Sequence, residues 1–176
     1  ENTSRREALV AEHGMSFLVE AEDSRILFDV GDTDGFLRNA DALGLTLSTV
    51  DTLVLSHGHY DHTGGVAALI ERGILPERIY LGENFFEPRY SAEDGTMRYI
   101  GTNFGEGDLY RAGVRHRVVT SGCLRIAKDI WLVSRFQHTC PFEAPPTTLL
   151  RWRAGEYATD LFPDEIGLVL RTEVGL

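Results

Sequence analysis

Apolar residues fall in short runs that change period along the chain, and glycines mark most of the breaks. Residues 15–20 (MSFLVE) and 25–29 (RILFD) read as two strands, and the turn at 21–24 makes them a hairpin. Val30-Gly31-Asp32 interrupts this pattern. Phe36, Leu37, Ala40 and Leu43 then recur at helical spacing with Gly44 as a stop, which predicts a helix over 33–43. Residues 50–56 (VDTLVLS) are a compact apolar run with two valines, the signature of a strand buried on both faces. A helix follows over 63–72, with Val66, Leu69 and Ile70 on its apolar side and Gly73 closing it, and 79–81 is the next strand. Strands alternating with helices predict α/β layers.

The pattern weakens over 82–113, where glycines alternate with Phe85, Phe86, Tyr90, Tyr99, Phe104 and Tyr110. A stretch of that length without clear elements is expected to be functional. It is predicted to be a mobile lid or a substrate-side wall, with some of Phe85, Phe86, Tyr90 and Phe104 facing a cleft. Gly101-Thr-Asn-Phe-Gly-Glu-Gly107 lacks both the spacing and the strand–helix setting of a dinucleotide fingerprint. Strand-like runs resume at 115–120, 124–126, 130–136, 148–152 and 166–172, with Pro141, Pro145, Pro146 and Pro163 in the loops between them.

Composition narrows the class. A chain of 176 residues is expected to form one domain, and 43% hydrophobic with 25% charged residues is ordinary for a globular protein. The apolar runs fall far short of the roughly 18 residues of a membrane span, and no signal peptide is visible at the start. Net charge is −10, from 17 Lys+Arg against 27 Asp+Glu, which disfavours phosphate backbones and leaves a small molecule as the expected partner, without nucleic acid or membrane. Cys123 and Cys140 form no CxxC pair and read as free thiols of a reducing, cytoplasmic protein.

The candidate chemistry is concentrated in His57-Gly-His-Tyr-Asp-His62, directly after the buried strand. Half of the protein's 6 histidines lie in this short stretch, interleaved with Asp61. His57 and His59 are two apart, so in an extended segment their side chains point the same way. Asp61 and His62 follow where a helix is predicted to begin. Imidazole nitrogens with a carboxylate are the donors that a zinc-like ion takes. The carboxyl end of a buried strand is the usual place for an α/β site.

This motif, preceded by a strand and followed by Thr63-Gly64-Gly65, resembles the metal signature of the metallo-β-lactamase superfamily. Leu27-Phe-Asp29-Val-Gly31 resembles its upstream aspartate motif. With Glu12-His-Gly-Met-Ser16, Phe36-Leu-Arg-Asn-Ala40 and Phe162-Pro-Asp-Glu165, the sequence is similar to the branch of β-lactamase superfamily II metal-dependent hydrolases. That branch includes the dihydropterin ribofuranosyl-aminobenzene phosphate synthase of methanopterin biosynthesis.

The resemblance implies an αβ/βα sandwich, here a single domain over 1–176 that lacks the first strand and the C-terminal part of the fold. It assigns His57 and His59 to one divalent ion, and Asp61 and His62, also the catalytic pair, to a second. Zinc is expected first, with manganese, magnesium or iron as alternatives. Two such ions share a hydroxide that attacks an ester, lactone or phosphoester-type centre. Asp29 is expected to orient a ligand histidine from behind, and Glu12 and His13 to lie on a loop over the metals. The family's two further ligand histidines have no counterpart; His116 and His138 stand in the wrong contexts. The strand over 166–172 is expected to end beside the cluster.

The leading function is therefore a metal-dependent hydrolase. The alternatives are a synthase of the dihydropterin phosphate type, or a non-catalytic metal- or ligand-binding module of the same fold. For the synthase, Arg89, Arg98, Arg111 and Arg115 are candidates to hold a phosphate and stack on a planar ring.

Overall fold

The structure is a computed structural model that describes residues 3–4, 6–21, 23–137 and 139–176. His138 lies outside the described residues. The elements run in the order β1 (Phe17–Ala21), β2 (Ser24–Phe28), α1 (Gly35–Leu43), β3 (Thr52–Val54), α2 (Tyr60–Thr63), α3 (Val66–Glu71), β4 (Arg78–Gly82), β5 (Arg89–Ser91), β6 (Arg98–Tyr99), α4 (Glu106–Arg111), β7 (His116–Val119), β8 (Cys123–Ala127), β9 (Ile130–Ser134), β10 (Leu149–Arg153), β11 (Glu156–Thr159) and β12 (Ile166–Leu170).

The central sheet has the order β1-β2-β3-β4-β7. Its first pair is the predicted antiparallel hairpin, with Leu18 opposite Leu27; the other pairs are parallel. Alternation along these strands divides the core. Leu27, Leu53, Ile79 and Leu81 face α1 and α3, where Phe36, Leu37, Val66 and Leu69 complete a helix-side core. Ile26, Val54 and Tyr80 point to the other face and pack on Ile130, Leu132 and Ile166. Those three belong to an antiparallel sheet of order β12-β9-β8. Burial on both faces explains why residues 50–56 read as one apolar run. A third, antiparallel sheet has the order β11-β10-β5-β6.

Two expectations change. First, residues 82–113 do not form a lid. Phe85 and Phe104, at 2% and 8% exposure, lie in the helix-side core, and Phe86 packs edge-on to both. Tyr90 instead packs edge-to-face with Tyr99 and Tyr157 on the third sheet. The stretch is also pinned behind α2, because Tyr60 N–H donates to the Ile100 carbonyl (3.0 Å) and the Asn103 amide donates to the Gly64 carbonyl (3.2 Å). Apolar burial and backbone pairing outweigh the local flexibility that its glycines suggest. Second, β12 begins at the motif rather than ending there. Ile166 N–H donates to the Ser56 carbonyl (2.8 Å), while Arg171 N–H, at the far end, meets the Asp129 carbonyl (2.9 Å). Antiparallel pairing of Ile166 with Ser134 and Leu170 with Ile130 sets that direction.

If Phe85 is a core residue, Phe85→Ala should cost about 3–5 kcal/mol of stability in urea unfolding. A loss below about 1 kcal/mol would return the stretch to the status of a loosely attached lid.

Candidate metal centre

Chain direction places the motif. β3 ends at Val54, Leu55 N–H pairs with the Tyr80 carbonyl (3.1 Å), and the Ser56 carbonyl is held by β12, so the backbone is fixed on both sides as it enters His57. Gly58 is required at the next step: a Cβ there would lie 2.3 Å from the Phe85 carbonyl oxygen and 2.7 Å from Arg89 Nη1. His59 is still extended, and α2 begins after it. This bend brings three imidazoles together, with ring centres 4.8 Å apart for His57 and His59 and 4.1 Å for His57 and His62.

Each ring has one nitrogen committed to the protein. His62 Nδ1 lies 2.7 Å from Asp29 Oδ2, and His59 Nε2 lies 3.0 Å from Asp160 Oδ2. His57 Nδ1 is 3.0 Å from Ser56 Oγ. Both carboxylates are fully buried acceptors. The network therefore assigns protons to Nδ1 of His57 and His62 and to Nε2 of His59. The lone pairs left over are on Nε2 of His57 and His62 and on Nδ1 of His59. Carboxylate-backed imidazoles of this kind are the usual form of histidine ligands.

Beneath the rings lies a buried charge cluster. Arg89, fully buried on β5, donates from Nε to Asp160 Oδ2 (3.1 Å) and from Nη1 to the Phe85 and Glu87 carbonyls (2.7 and 2.9 Å). Its Nη2 is 2.7 Å from Asp164 Oδ1, outside hydrogen-bonding direction, so that contact is a charge pairing. Asp164 in turn accepts from Gly58 N–H (2.8 Å). Arg89 is thus corrected from a substrate-facing phosphate holder to a buried structural cation. Arg111, on the exposed surface, pairs with Asp108, and Arg98 and Arg115 are exposed.

The remaining sequence candidates divide. Asp61 Oδ2 lies 3.5 Å from His62 Nε2 and 3.5 Å from the half-exposed His13 Nε2, and the His13 ring stacks over Tyr60 at 6.4 Å. Gly14 fits His13 onto the motif, because a Cβ at Gly14 would reach 1.7 Å from the Asp61 carbonyl oxygen. Glu12 is engaged elsewhere: its carboxylate accepts from the Thr33 hydroxyl and packs on Gly31 and Gly35 at the turn into α1. His116 sits on β7 against Phe86 and Glu106.

Sequence reasoning gave no part in this site to Ser56, Asp160 or Phe162, and gave Arg89 a substrate-side one. Phe162 has a backbone φ of +51°, rare for a bulky residue and worth about 1–3 kcal/mol of strain. The turn is held by its N–H donating to Asp160 Oδ1 (3.0 Å) and lays the ring edge-on to His57 and His59, at 5.2 and 5.0 Å.

The electrostatics follow from burial. Burial, then the nearby His62, His59 and Arg89 charges, hold His57 well below the ordinary histidine value, which keeps it neutral. For His62 burial acts in the same direction, but the hydrogen bond and charge of Asp29, with Asp61, outweigh it and raise the pKa. Burial raises Asp164. Burial also opposes ionisation of Asp160, yet His59 and Arg89 overcome it and hold Asp160 below the ordinary carboxylate range.

The donors fit a divalent ion in type and in which lone pairs are left available. Among the described residues, however, no three His, Cys, Asp or Glu groups close into one cage. A catalytic zinc takes three protein ligands.

Comparison with known proteins gives the class. The metallo-beta-lactamase superfamily profile matches residues 10–150. The chain belongs to that superfamily and has its αβ-sandwich fold. It is 30% identical, over 94% of its length, to the 7,8-dihydropterin-6-methyl-4-(beta-D-ribofuranosyl)-aminobenzene-5'-phosphate synthase of Methanocaldococcus jannaschii, of which it covers 59%. It is similar, with TM-score 0.75, 34% identity and 96% coverage, to the crystal structure of Tm1679, a metal-dependent hydrolase of the beta-lactamase superfamily, and covers 58% of that chain. A shorter match, 36% identical over 43% of this chain and 26% of the relative, is to hydroxyacylglutathione hydrolase of Serratia proteamaculans. No helix among the described residues is long and apolar enough to cross a membrane.

The charge cluster yields a pH-dependent prediction. Asp160→Asn should destabilise the fold at pH 7 by about 3 kcal/mol, because a buried cation loses a partner. Asp160 has a lowered folded pKa, so its contribution is present above the ordinary value of 3.8 and is lost as pH falls through the folded value. The gap between variant and wild type in denaturant unfolding should therefore close in acid. An equal gap at neutral and acid pH would contradict the ionic role.

Proposed function

We propose that His57, His59, Asp61 and His62 hold one or two divalent ions, zinc first, with manganese, magnesium or iron as alternatives. On this reading the site hydrolyses an ester, lactone or phosphoester-type bond in a small molecule. The observation that carries it is the pairing of ring nitrogens with buried carboxylates, His62 with Asp29 (2.7 Å) and His59 with Asp160 (3.0 Å). Nothing in core packing calls for backing three adjacent histidines in this way, whereas ligand imidazoles need a fixed tautomer and ring angle. When bound, such ions lower the pKa of a coordinated water and polarise the substrate oxygen.

The chain's own residues do the rest. Phe162 walls the ring cluster and keeps water from the backs of His57 and His59. Asp61, 3.5 Å from both His62 and His13, would orient the attacking water and accept its proton. On this reading half-exposed His13, 3.5 Å from Asp61, would meet a polar group of the substrate.

A second reading is favoured by one observation, the 30% identity to the synthase across 94% of this chain. The same donors would then serve transfer chemistry on a pterin and a phosphorylated ribosyl substrate. With Arg89 committed to Asp160 and Asp164, the phosphate would need cations other than this one. A non-catalytic module of the same fold is the third reading.

Elemental analysis of the purified protein separates the third reading from the others, and turnover of a pterin substrate against a panel of lactones and phosphoesters separates the first two. His57→Ala and His59→Ala should each sharply reduce bound zinc, and Asp29→Ala should weaken binding by about 10–100-fold. Undiminished zinc uptake in the two histidine variants would remove the assignment.

A further inference from the structure

Ser56 lies two residues past β3 with only 7% exposure, and its hydroxyl has three neighbours: Asp29 Oδ2 at 2.7 Å, His57 Nδ1 at 3.0 Å and His62 Nδ1 at 3.2 Å. A hydroxyl carries one proton and can accept from others. Asp29, ionised, can only accept, so the Ser56 proton goes to Asp29 Oδ2 and the oxygen accepts from His57 Nδ1–H. His62 Nδ1 is nearer to the carboxylate (2.7 Å) than to the hydroxyl, so its proton goes to Asp29 directly. The other carboxylate oxygen, Oδ1, accepts from Ser56 N–H (2.7 Å).

Backbone geometry holds this arrangement in place. Asp29 adopts φ +57°, a left-handed conformation that aspartate tolerates better than most residues, and its N–H donates to the Val54 carbonyl (2.9 Å). The carboxylate is thereby kept at the end of β3. Ser56 is held in turn through its carbonyl by Ile166 N–H (2.8 Å). Neither partner is free to drift.

We propose that Ser56 is a positioning residue whose hydroxyl relays the Asp29 carboxylate to His57. One buried carboxylate then fixes the tautomer of two imidazoles, His62 directly and His57 through Ser56. His59 depends on a different carboxylate, Asp160, so the motif has two separate supports. The proposal rests on the metal-site reading for its functional meaning: the relay leaves His57 Nε2 as the lone-pair nitrogen, available to an ion.

The test uses the whole chain, wild type and the variants Ser56→Ala and Ser56→Thr, with two readouts. The first is nitrogen-15 NMR of the histidine rings in zinc-free protein at about pH 8.5, where unperturbed imidazoles are neutral. Wild-type His57 should be in the Nδ1–H form. In Ser56→Ala it should shift toward the Nε2–H form, while His59 keeps its signal and Ser56→Thr restores the wild-type pattern. The second readout is zinc affinity in a chelator-buffered titration. Ser56→Ala should weaken it by about 10–100-fold, as loss of a partner behind a ligand does, and Ser56→Thr should stay within a few-fold of wild type.

A wild-type His57 in the Nε2–H form would overturn the relay, and that result needs no variant to fold. So would an unchanged His57 in Ser56→Ala, or equal disturbance of His57 and His59, which marks general loosening. If the NMR pattern holds but the wild type takes up no zinc, the relay stands and the metal reading falls. If the wild type binds zinc and Ser56→Ala binds it equally well, the metal reading stands and the positioning role falls.

Discussion

A buried guanidinium organises the region around the histidines. Arg89 has no exposure, so its charge must be answered within the protein. It is answered from three places at once: the carbonyls of Phe85 and Glu87, the Asp160 carboxylate before the strained Phe162, and the Asp164 carboxylate just ahead of β12. Removing one partner of such a group costs about 3–5 kcal/mol, because an uncompensated charge is left in a low-dielectric interior. The segments that meet at Arg89 are distant in sequence and are brought to the underside of one loop. Asp160 reaches on to His59 and Asp164 to the Gly58 amide, so the position of the charge also sets the position of the motif.

The second support is smaller and sits at the other end of the motif. Asp29 gathers the Ser56 amide, the Ser56 hydroxyl and His62. The histidines are thus held from behind by two carboxylates from distant parts of the chain, Asp29 against His62 and Asp160 between His59 and Arg89. Their pKa directions reflect this: His62 is raised by Asp29 and Asp61 against the effect of burial, while His57, buried among like charges, is held low. An imidazole held neutral, as His57 is, keeps a lone pair open to a cation, since ion and proton compete for it.

Much of the framework was legible because its signals are local. The hairpin over 15–29, the helix closed by Gly44, the doubly buried run at 50–56 and the histidine motif each carry their own period or spacing. β5, β6, β11 and α4 were not legible. β5 is three residues long and begins with arginine, β11 is mostly polar, and α4 contains glycine, so none shows an apolar period. The role of Arg89 was misread for the same reason. In sequence it is a scattered cation among aromatics, and only contacts 71 residues apart in sequence place it with Asp160. Ser56 and Asp160 likewise matter through partners that no spacing rule reveals. The aromatics of 82–113 were read as a lid because glycine content is visible in the sequence and burial is not.

Whether the three imidazoles and Asp61 are donors to a divalent ion is tested most directly by X-ray absorption at the zinc edge of zinc-loaded protein. If they are, the ion has a shell of nitrogen and oxygen at about 2.0–2.1 Å, with the outer-shell scattering of imidazole rings that weakens when His57 or His59 is replaced. A shell of oxygen alone, or sulfur at about 2.3 Å from Cys123 or Cys140, would contradict it.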